Sequence, residues 1–465
     1  MKHIRLGSSI LVLLALFPLA AAGQVSTGAQ PMGSFSSGPD IINLGNLNMH
    51  FDFPVFAKPG RGMPFTYTLS FDSSIWSPVT VSGVKTWQPA ANWNWRAVTE
   101  VATGYISRTR MSIRCQIPDT VPPRFVNDPY WYNFQYHDQF GVVHSFDNTM
   151  GGCPGDIIDN SSRTTDSSGL TLDTSTIPAT ITARDGTTFN PPLDSGVGAA
   201  TRTDRNGNQI STANGNSFID TLGMTALTVS GGALNPQVFT YTTTTGTAAS
   251  VTINYAAYTV QTNFGCSGTN EFPATSASLV SSVVYPDGST FTFNYEPTPG
   301  FGTVTGRVAS ITLPTGSTIS YTYAGGNNGI MCADGSTAGL IRTTTDGSTT
   351  YARSGSGTAW TTTFTDAATP GNQTVINFQT AGTPALFLET RRTMNQGAST
   401  VLLQTDTCYN GTVANCSATA VTLPITEIKK YVTLNNGQQS LSDTFINGVG
   451  LPSEVDEYDF GSPTH

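Results

Sequence analysis

The densest group of ionisable side chains in this sequence is His137, Asp138, His144 and Asp147, within "YHDQFGVVHSFD". Imidazoles and carboxylates this close suit metal ligation or acid–base chemistry. The apolar residues between them alternate, however, and spell a hairpin with strands at Tyr132–His137 and Val142–Phe146 about a turn at Asp138–Gly141. That turn sets His137 and His144 near opposite each other, where two imidazoles could share a metal. A third ligand is not evident, and a hairpin whose polar residues face solvent fits the pattern better. Asp147, Asp156 and Asp159 offer loop oxygens to calcium, but their spacing matches no calcium-binding loop, and Asp and Gly are ordinary turn formers. Asp204 in "DRNGN" reads the same way. No G-x-S-x-G elbow leads from a strand into a helix, and the few glutamates fall in no cleft-forming motif. The residues therefore point to a protein without catalysis, metal or cofactor.

Aromatic residues make a better case for binding. "TWQPAANWNW" concentrates Trp87, Trp93 and Trp95, the last two on one face of an extended segment. Indoles stack on sugar rings because both are flat and partly apolar, so these three are the candidate carbohydrate contacts. Their rival role is to plug the end of an N-terminal sheet. Basic residues gather only at Arg96, Arg108, Arg110, Arg114 and Arg124. Arg108 and Arg110 share a strand face, but Glu100 and Asp119 interrupt the series. With a net charge of -9 and no lysine between Lys85 and Lys429, a nucleic-acid partner is not expected.

The elements that must position these residues are strands. "NMHFDFPVF" puts Met49, Phe51, Phe53 and Val55 on one face and Asn48, His50 and Asp52 on the other. After a turn at Lys58–Gly62, "FTYTLSFD" does the same with Phe65, Tyr67, Leu69 and Phe71. One buried face with a period of two fixes the register. Helical spacing never develops, and turn signals recur every ten or so residues, which predicts an all-β chain. Only 11 % of residues are charged, so Thr, Ser, Asn and Gly must carry solubility.

The first residues read separately. Lys2 and Arg5 precede an apolar run from Ile10 to Gly23 that ends in Ala20-Ala21-Ala22, the pattern of a secretory signal peptide. The run is about 14 residues, short of the ~20 that span a bilayer, so the mature chain is expected outside the cytoplasm and free of membrane spans. In that compartment the six cysteines favour disulfides. "CYNGTVANC" would bring Cys408 and Cys416 together across an Asn410-Gly411 hairpin turn. The pairing of Cys115, Cys153, Cys266 and Cys332 stays open.

A repeat organises the later part of the chain. "YPDGSTFTFNY" (285–295) returns 28 residues later as "LPTGSTISYTY" (313–323). Pro286, Asp287 and Gly288 in the first copy, and Pro314 and Gly316 in the second, specify a turn. Proline presets φ, and glycine takes the left-handed position that closes a bulged hairpin. Weaker copies stand at 183, 344 and 434. The best-defined stretch, "GRVASITLPTGSTISYTY" (Gly306–Tyr323), resembles the RHS/YD-repeat family of large secreted or surface β-proteins. "LGNLNMHFDFPVFAKPGRGMPFTYTLSFDSSIW" (Leu44–Trp76) is similar to the segment that precedes the repeats in many members. The family's Tyr-Asp pair is missing after Tyr323 and occurs only in "EYDFG" (457–461). The D-P-x-G-type cleavage site that releases a toxin cargo in large members is also missing. The resemblance thus implies the N-terminal, non-toxin portion of such a protein, either truncated or naturally short.

These readings predict a signal peptide (1–23) and an N-terminal, sandwich-like domain of antiparallel hairpins (24–160). A Ser/Thr-rich strand region (161–275) and an RHS/YD-like repeat sheet (276–465) follow. The expected function is a non-catalytic exported scaffold or surface-interaction protein, with a cell-surface glycan or another β-repeat protein as partner. The alternative is a secreted carbohydrate-binding or carbohydrate-cleaving protein using the tryptophans. An outer-membrane barrel would need a closing C-terminal strand, which "FGSPTH" does not resemble.

Overall fold

The computed structural model describes residues 35–36 and 40–461, apart from 91–92, 94, 100, 102–103, 119, 139–142, 155, 157, 165–167, 177, 194–197, 233–234, 369–370, 383–384, 411–415 and 449–450. The signal peptide, Glu100, Asp119 and the turn residues Gly141 and Gly411 therefore lie outside the described residues. The described chain is all-β and antiparallel almost throughout, with three sheets and a separate two-stranded hairpin, Trp76–Val81 with Val84–Pro89.

The expected first hairpin is present. Met49–Lys58 pairs with Phe65–Asp72, placing Phe51 opposite Phe71 and Phe53 opposite Leu69. Phe35–Ser36, Ile41–Asn43 and Arg96–Thr99 complete a five-stranded inner sheet. Its alternation works as the pattern requires: Phe51, Phe53, Val55, Phe65, Tyr67, Leu69 and Phe71 are all buried. This sheet does not pair with a second N-terminal layer, as a self-contained sandwich would. It packs instead against the long sheet formed by the rest of the chain.

That long sheet is a 23-stranded meander from Ser161–Arg163 to Pro452–Tyr458, each strand paired with the next. Its ladder runs unbroken across 275/276, where Ala248–Val260 pairs directly with Thr275–Val284. Its contacts with the inner sheet require it to curl. Phe65 meets Phe218 at 5.6 Å between ring centroids, and the Leu44 carbonyl accepts a 2.6 Å hydrogen bond from Thr362 Oγ1. The strands carrying Phe218 and Thr362 are ten steps apart in the sheet. Laid flat at ~4.8 Å per strand they would lie about 48 Å apart, against about 19 Å for the whole inner sheet. Wrapping gives one continuous core from Ile42 to Phe387, with Phe53 set edge-on to Phe291 at 4.4 Å and Tyr67 against Phe239 at 4.9 Å. Burying each such aromatic is worth roughly 1.5–3 kcal/mol.

The repeat is a repeat in space. In the first copy the Tyr285 amide donates to the Ser289 carbonyl and the Gly288 amide to the Tyr285 carbonyl, both at 2.9 Å. In the second, Leu313 and Ser317 and then Gly316 and Leu313 do the same at 2.8 and 2.9 Å. Gly288 (φ 82°) and Gly316 (φ 86°) hold the left-handed position that a Cβ would strain. The closing tyrosines match too: Tyr295 donates to the Val280 carbonyl at 2.8 Å and Tyr323 to the Val308 carbonyl at 3.0 Å. The copies at 183 and 434 make the same pair of turn bonds, as do Asp204–Asn208, Asp220–Met224 and Thr243–Thr247. The copy at 344 does not: Thr344 pairs with Gly347, leaving a two-residue loop. In a meander, alternate connections fall at alternate ends, so all the matching turns line one rim of the sheet.

A third, smaller sheet stands beside the body. Tyr105–Ile117 and Arg124–His137 form a long ribbon, with Val143–Phe146 and Met150–Gly151 on the other edge of the second strand. The second strand is longer than the Tyr132–His137 expected. Only the root of the ribbon has a core, in which Ile106, Phe134, Tyr136 and Phe146 meet Leu172 and Ile181 of the long sheet.

Candidate functional site

The histidine group is assembled at the ribbon's root, one step out of the expected register. His137 pairs with Val143, and His144 pairs with Tyr136. Neighbouring strand positions point to opposite faces, so the imidazoles diverge and share no ligand position. Neither faces solvent, which corrects the expectation of a solvated hairpin: both are buried. His137 lies flat on Tyr105, 4.3 Å between centroids, and its Nε2 is 2.8 Å from Ser107 Oγ. Burial pushes its pKa down to about 4, helped by Arg96 and His144. A Ser–His contact of this length could begin nucleophilic chemistry, but the imidazole is a weak base and its Nδ1 has no partner to orient it among the described residues. His144 Nε2 lies 3.4 Å from Asp138 and its ring stacks on Tyr136.

The aspartates serve turns. Asp156 accepts the Cys153 amide at 2.7 Å, and Asp159 accepts the Ser161 amide at 3.3 Å. Asp204 accepts the amides of Asn206 and Asn208 at 2.8 and 2.9 Å. Each carboxylate stands in for a missing backbone partner.

Of the candidate sugar contacts, Trp87 is 0 % exposed and offers no face to a ligand. It meets Phe264 edge-on at 5.3 Å. Trp93 and Trp95 are partly buried against the same core, Trp93 beside Trp76 and Trp95 between Phe71 and Phe293. Trp95 Nε1 also donates to the Tyr295 hydroxyl at 3.0 Å. The three indoles plug the seam between inner and long sheets, the role weighed against sugar stacking. Trp93 has a visible consequence in the repeat: a Cβ on Gly306 (φ +84°) would come within 2.9 Å of its ring.

The cysteines are all paired, Cys115 with Cys153, Cys266 with Cys332 and Cys408 with Cys416, at Cα–Cα distances of 5.1, 5.6 and 5.0 Å. The last pair was expected, although not its setting. Cys408 lies in the strand Thr400–Tyr409, where it pairs with Lys429, and Cys416 opens a short 3-10 turn. The two cysteines staple a loop and do not face each other across a hairpin.

No protein-family model matches this chain, and no curated protein matches it either.

Three polar clusters escaped the sequence reading. Asp40, wholly buried, takes Arg342 Nε and Nη2 at 2.7 and 2.6 Å and the Tyr321 hydroxyl at 2.8 Å. This hydrogen bonding and charge raise the Arg342 pKa. Glu296 takes Arg307 Nε and Nη2 at 2.7 and 2.9 Å, and the guanidinium lies 4.0 Å from the Tyr323 ring centroid. Inside the inner sheet, His50 Nδ1 is 2.9 Å from Asp72, which also pairs with Arg96, and Nε2 is 3.2 Å from Asp52. Burial opposes charge on His50, but Asp72 and Asp52 prevail and hold its pKa up at about 10. An imidazolium between two carboxylates has no lone pair to act as a base. Only the tyrosine of the Arg307 cluster had a signal, because Tyr323 recurs as Tyr295 in the repeat phrase, whereas Leu279 stands where Arg307 does. Asp40 and Arg342 are 302 residues apart and had none.

Proposed function

We propose that this chain works as a non-catalytic exported β scaffold that presents a surface for interaction, and that its long sheet is of the RHS/YD-repeat kind. One observation carries the reading: the polar and aromatic residues with a claim to chemistry are spent inside the fold. Asp40 with Arg342 and Trp87 with Phe264 tie distant segments together, while His50 pairs within the inner sheet and Arg307 within the long sheet. A meander whose hairpins bury one face against a shared filling suits a rigid support. The paired cysteines suit an oxidising compartment. The shared turn and tyrosine bonds of the 285–295 and 313–323 phrases support the repeat assignment.

The test is to express the full chain in a secreting host and follow its fate. The expected product lacks the leader, carries three disulfides, leaves the cytoplasm and turns over no ester, peptide or glycoside substrate. A chain that stays cytoplasmic with its leader attached, or that hydrolyses one of those substrates at a saturable rate, contradicts the reading.

A further inference from the structure

Beyond its root, the ribbon's face that carries Arg110, Arg114 and Phe125 is largely exposed, while Cys115 on the other face is buried by its disulfide to Cys153. Residues that are directly opposite in an antiparallel pair share a face, and the register places Arg110 opposite Trp131, Arg114 opposite Asn127 and Gln116 opposite Phe125. Arg110 and Arg114 are exposed and Phe125 is 48 % exposed, so this face is open to solvent. Its cations and rings are already interleaved. The Arg108 and Arg110 guanidinium carbons lie 5.1 and 5.9 Å from the Trp131 ring centroid, and that of Arg114 lies 4.3 Å from Phe125. Arg110 and Arg114 form no ion pair among the described residues. In a chain of net charge -9 this is a local reversal of sign. The Cys115–Cys153 disulfide ties the first strand to the segment after the small sheet and so fixes how the ribbon projects.

We propose that this ribbon face binds a linear acidic polysaccharide, with Arg110 and Arg114 pairing carboxylate or sulfate groups and Phe125 receiving a sugar face. Guanidinium forks match such oxyanions in two-point geometry, and stacking on a ring presets the fork's plane. Charge spacing favours a sugar polymer over nucleic acid. Four residues of strand separate Arg110 from Arg114 by about 14 Å, whereas duplex DNA carries one charge per about 1.7 Å and rewards a dense basic stripe. An exposed strand face of this length suits a polymer that lies along a surface. The inference deepens the surface-interaction part of the proposed function and names its ligand class.

Binding of the full disulfide-bonded chain should be titrated with polygalacturonate, dextran sulfate, neutral dextran and a 30-base-pair DNA duplex, at low and moderate salt. Polygalacturonate and dextran sulfate separate a carboxylate from a sulfate ligand, and binding to either supports the proposal. The paired substitution Arg110→Gln with Arg114→Gln should weaken that binding about tenfold while circular dichroism and the thermal midpoint hold. Phe125→Ala should weaken it several-fold. If the glutamine pair fails to fold, Arg110→Lys with Arg114→Lys reads the same point. It keeps the charge but loses the fork and stack, so weaker binding supports the proposal and wild-type binding overturns it. The proposal is also overturned if neither acidic polymer binds, if the folded glutamine pair binds normally, or if DNA or neutral dextran binds equally well. A folded, exported chain that ignores acidic polymers defeats this inference and leaves the scaffold reading standing. A chain that binds them but is not exported does the reverse.

Discussion

The hairpin Met49–Lys58/Phe65–Asp72 and the hairpin Tyr105–Ile117/Arg124–His137 are both long antiparallel pairs from the first third of the chain, and they end in opposite surroundings. The first alternates large apolar residues along its whole length and packs that apolar face against the long sheet, leaving Asp52 and Pro54 exposed on the other. The second keeps that alternation only near Phe134 and Tyr136, then changes to arginines among aromatics and extends into solvent. Each has a buried histidine, and the two are in opposite states. His50 is held charged by two carboxylates, while His137, with no carboxylate partner among the described residues, is held neutral by burial. The length of an apolar stripe therefore decides how much of a hairpin is covered, and the neighbouring carboxylates decide the charge of a covered imidazole.

Substituting an aromatic residue in each hairpin should separate them most clearly. Phe53→Ala empties a site that is 0 % exposed and should cost about 3–5 kcal/mol by urea titration. Phe125→Ala on the open ribbon should stay within roughly 0.5 kcal/mol. Next in size is the tie that fastens the inner sheet's entry to the long sheet. Asp40→Ala strands a partly buried Arg342 and should cost about 3 kcal/mol in the same titration.

Acid should act on the ribbon root before the inner hairpin. The folded-state pKa of His137 is lowered from 6.5 to about 4, so its contribution is present above pH 6.5 and is lost as pH falls through about 4. The loss should be about 1–3 kcal/mol, and His137→Phe should flatten that limb of the stability profile. His50 has the opposite sign: raised to about 10, it contributes fully below pH 6.5 and fades as pH climbs through about 10. A rim turn should respond more mildly than either the buried core or the Asp40 tie. Gly288→Ala meets no neighbour within 4 Å and should cost only its left-handed strain, about 1 kcal/mol. Gly306→Ala adds a clash with Trp93 and should cost more.

Local features were legible in the sequence, and distant ones were not. The period of two in "NMHFDFPVF" and "FTYTLSFD" specified strands, faces and pairing, because those depend on neighbours in sequence. The phrase around Gly288 specified its turn down to the left-handed glycine. The change in composition at 275/276 does not interrupt the hydrogen bonding, because passing from Ser/Thr-rich to aromatic-rich strands alters side chains and leaves the ladder intact. The register at His137 slipped by one because a turn's length cannot be read from Asp and Gly alone. Trp87 carried two readings, sugar contact and sheet plug, because an indole that stacks on a sugar and one that fills a seam look alike in sequence. Wrapping itself, and the Asp40–Arg342 tie with it, depends on contacts across hundreds of residues that carry no local pattern.

The central claim is that inner hairpin and long sheet fold as one body while the ribbon's outer part stands apart. Native-state hydrogen exchange on the intact oxidised chain tests this most directly, read by peptide across all three regions. The account predicts that amides around Phe51–Phe53 and Val280–Val283 exchange equally slowly, through the same global opening, while 117–127 exchanges orders of magnitude faster. Exchange at Phe51–Phe53 as fast as in the ribbon, with Val280–Val283 still protected, would contradict it.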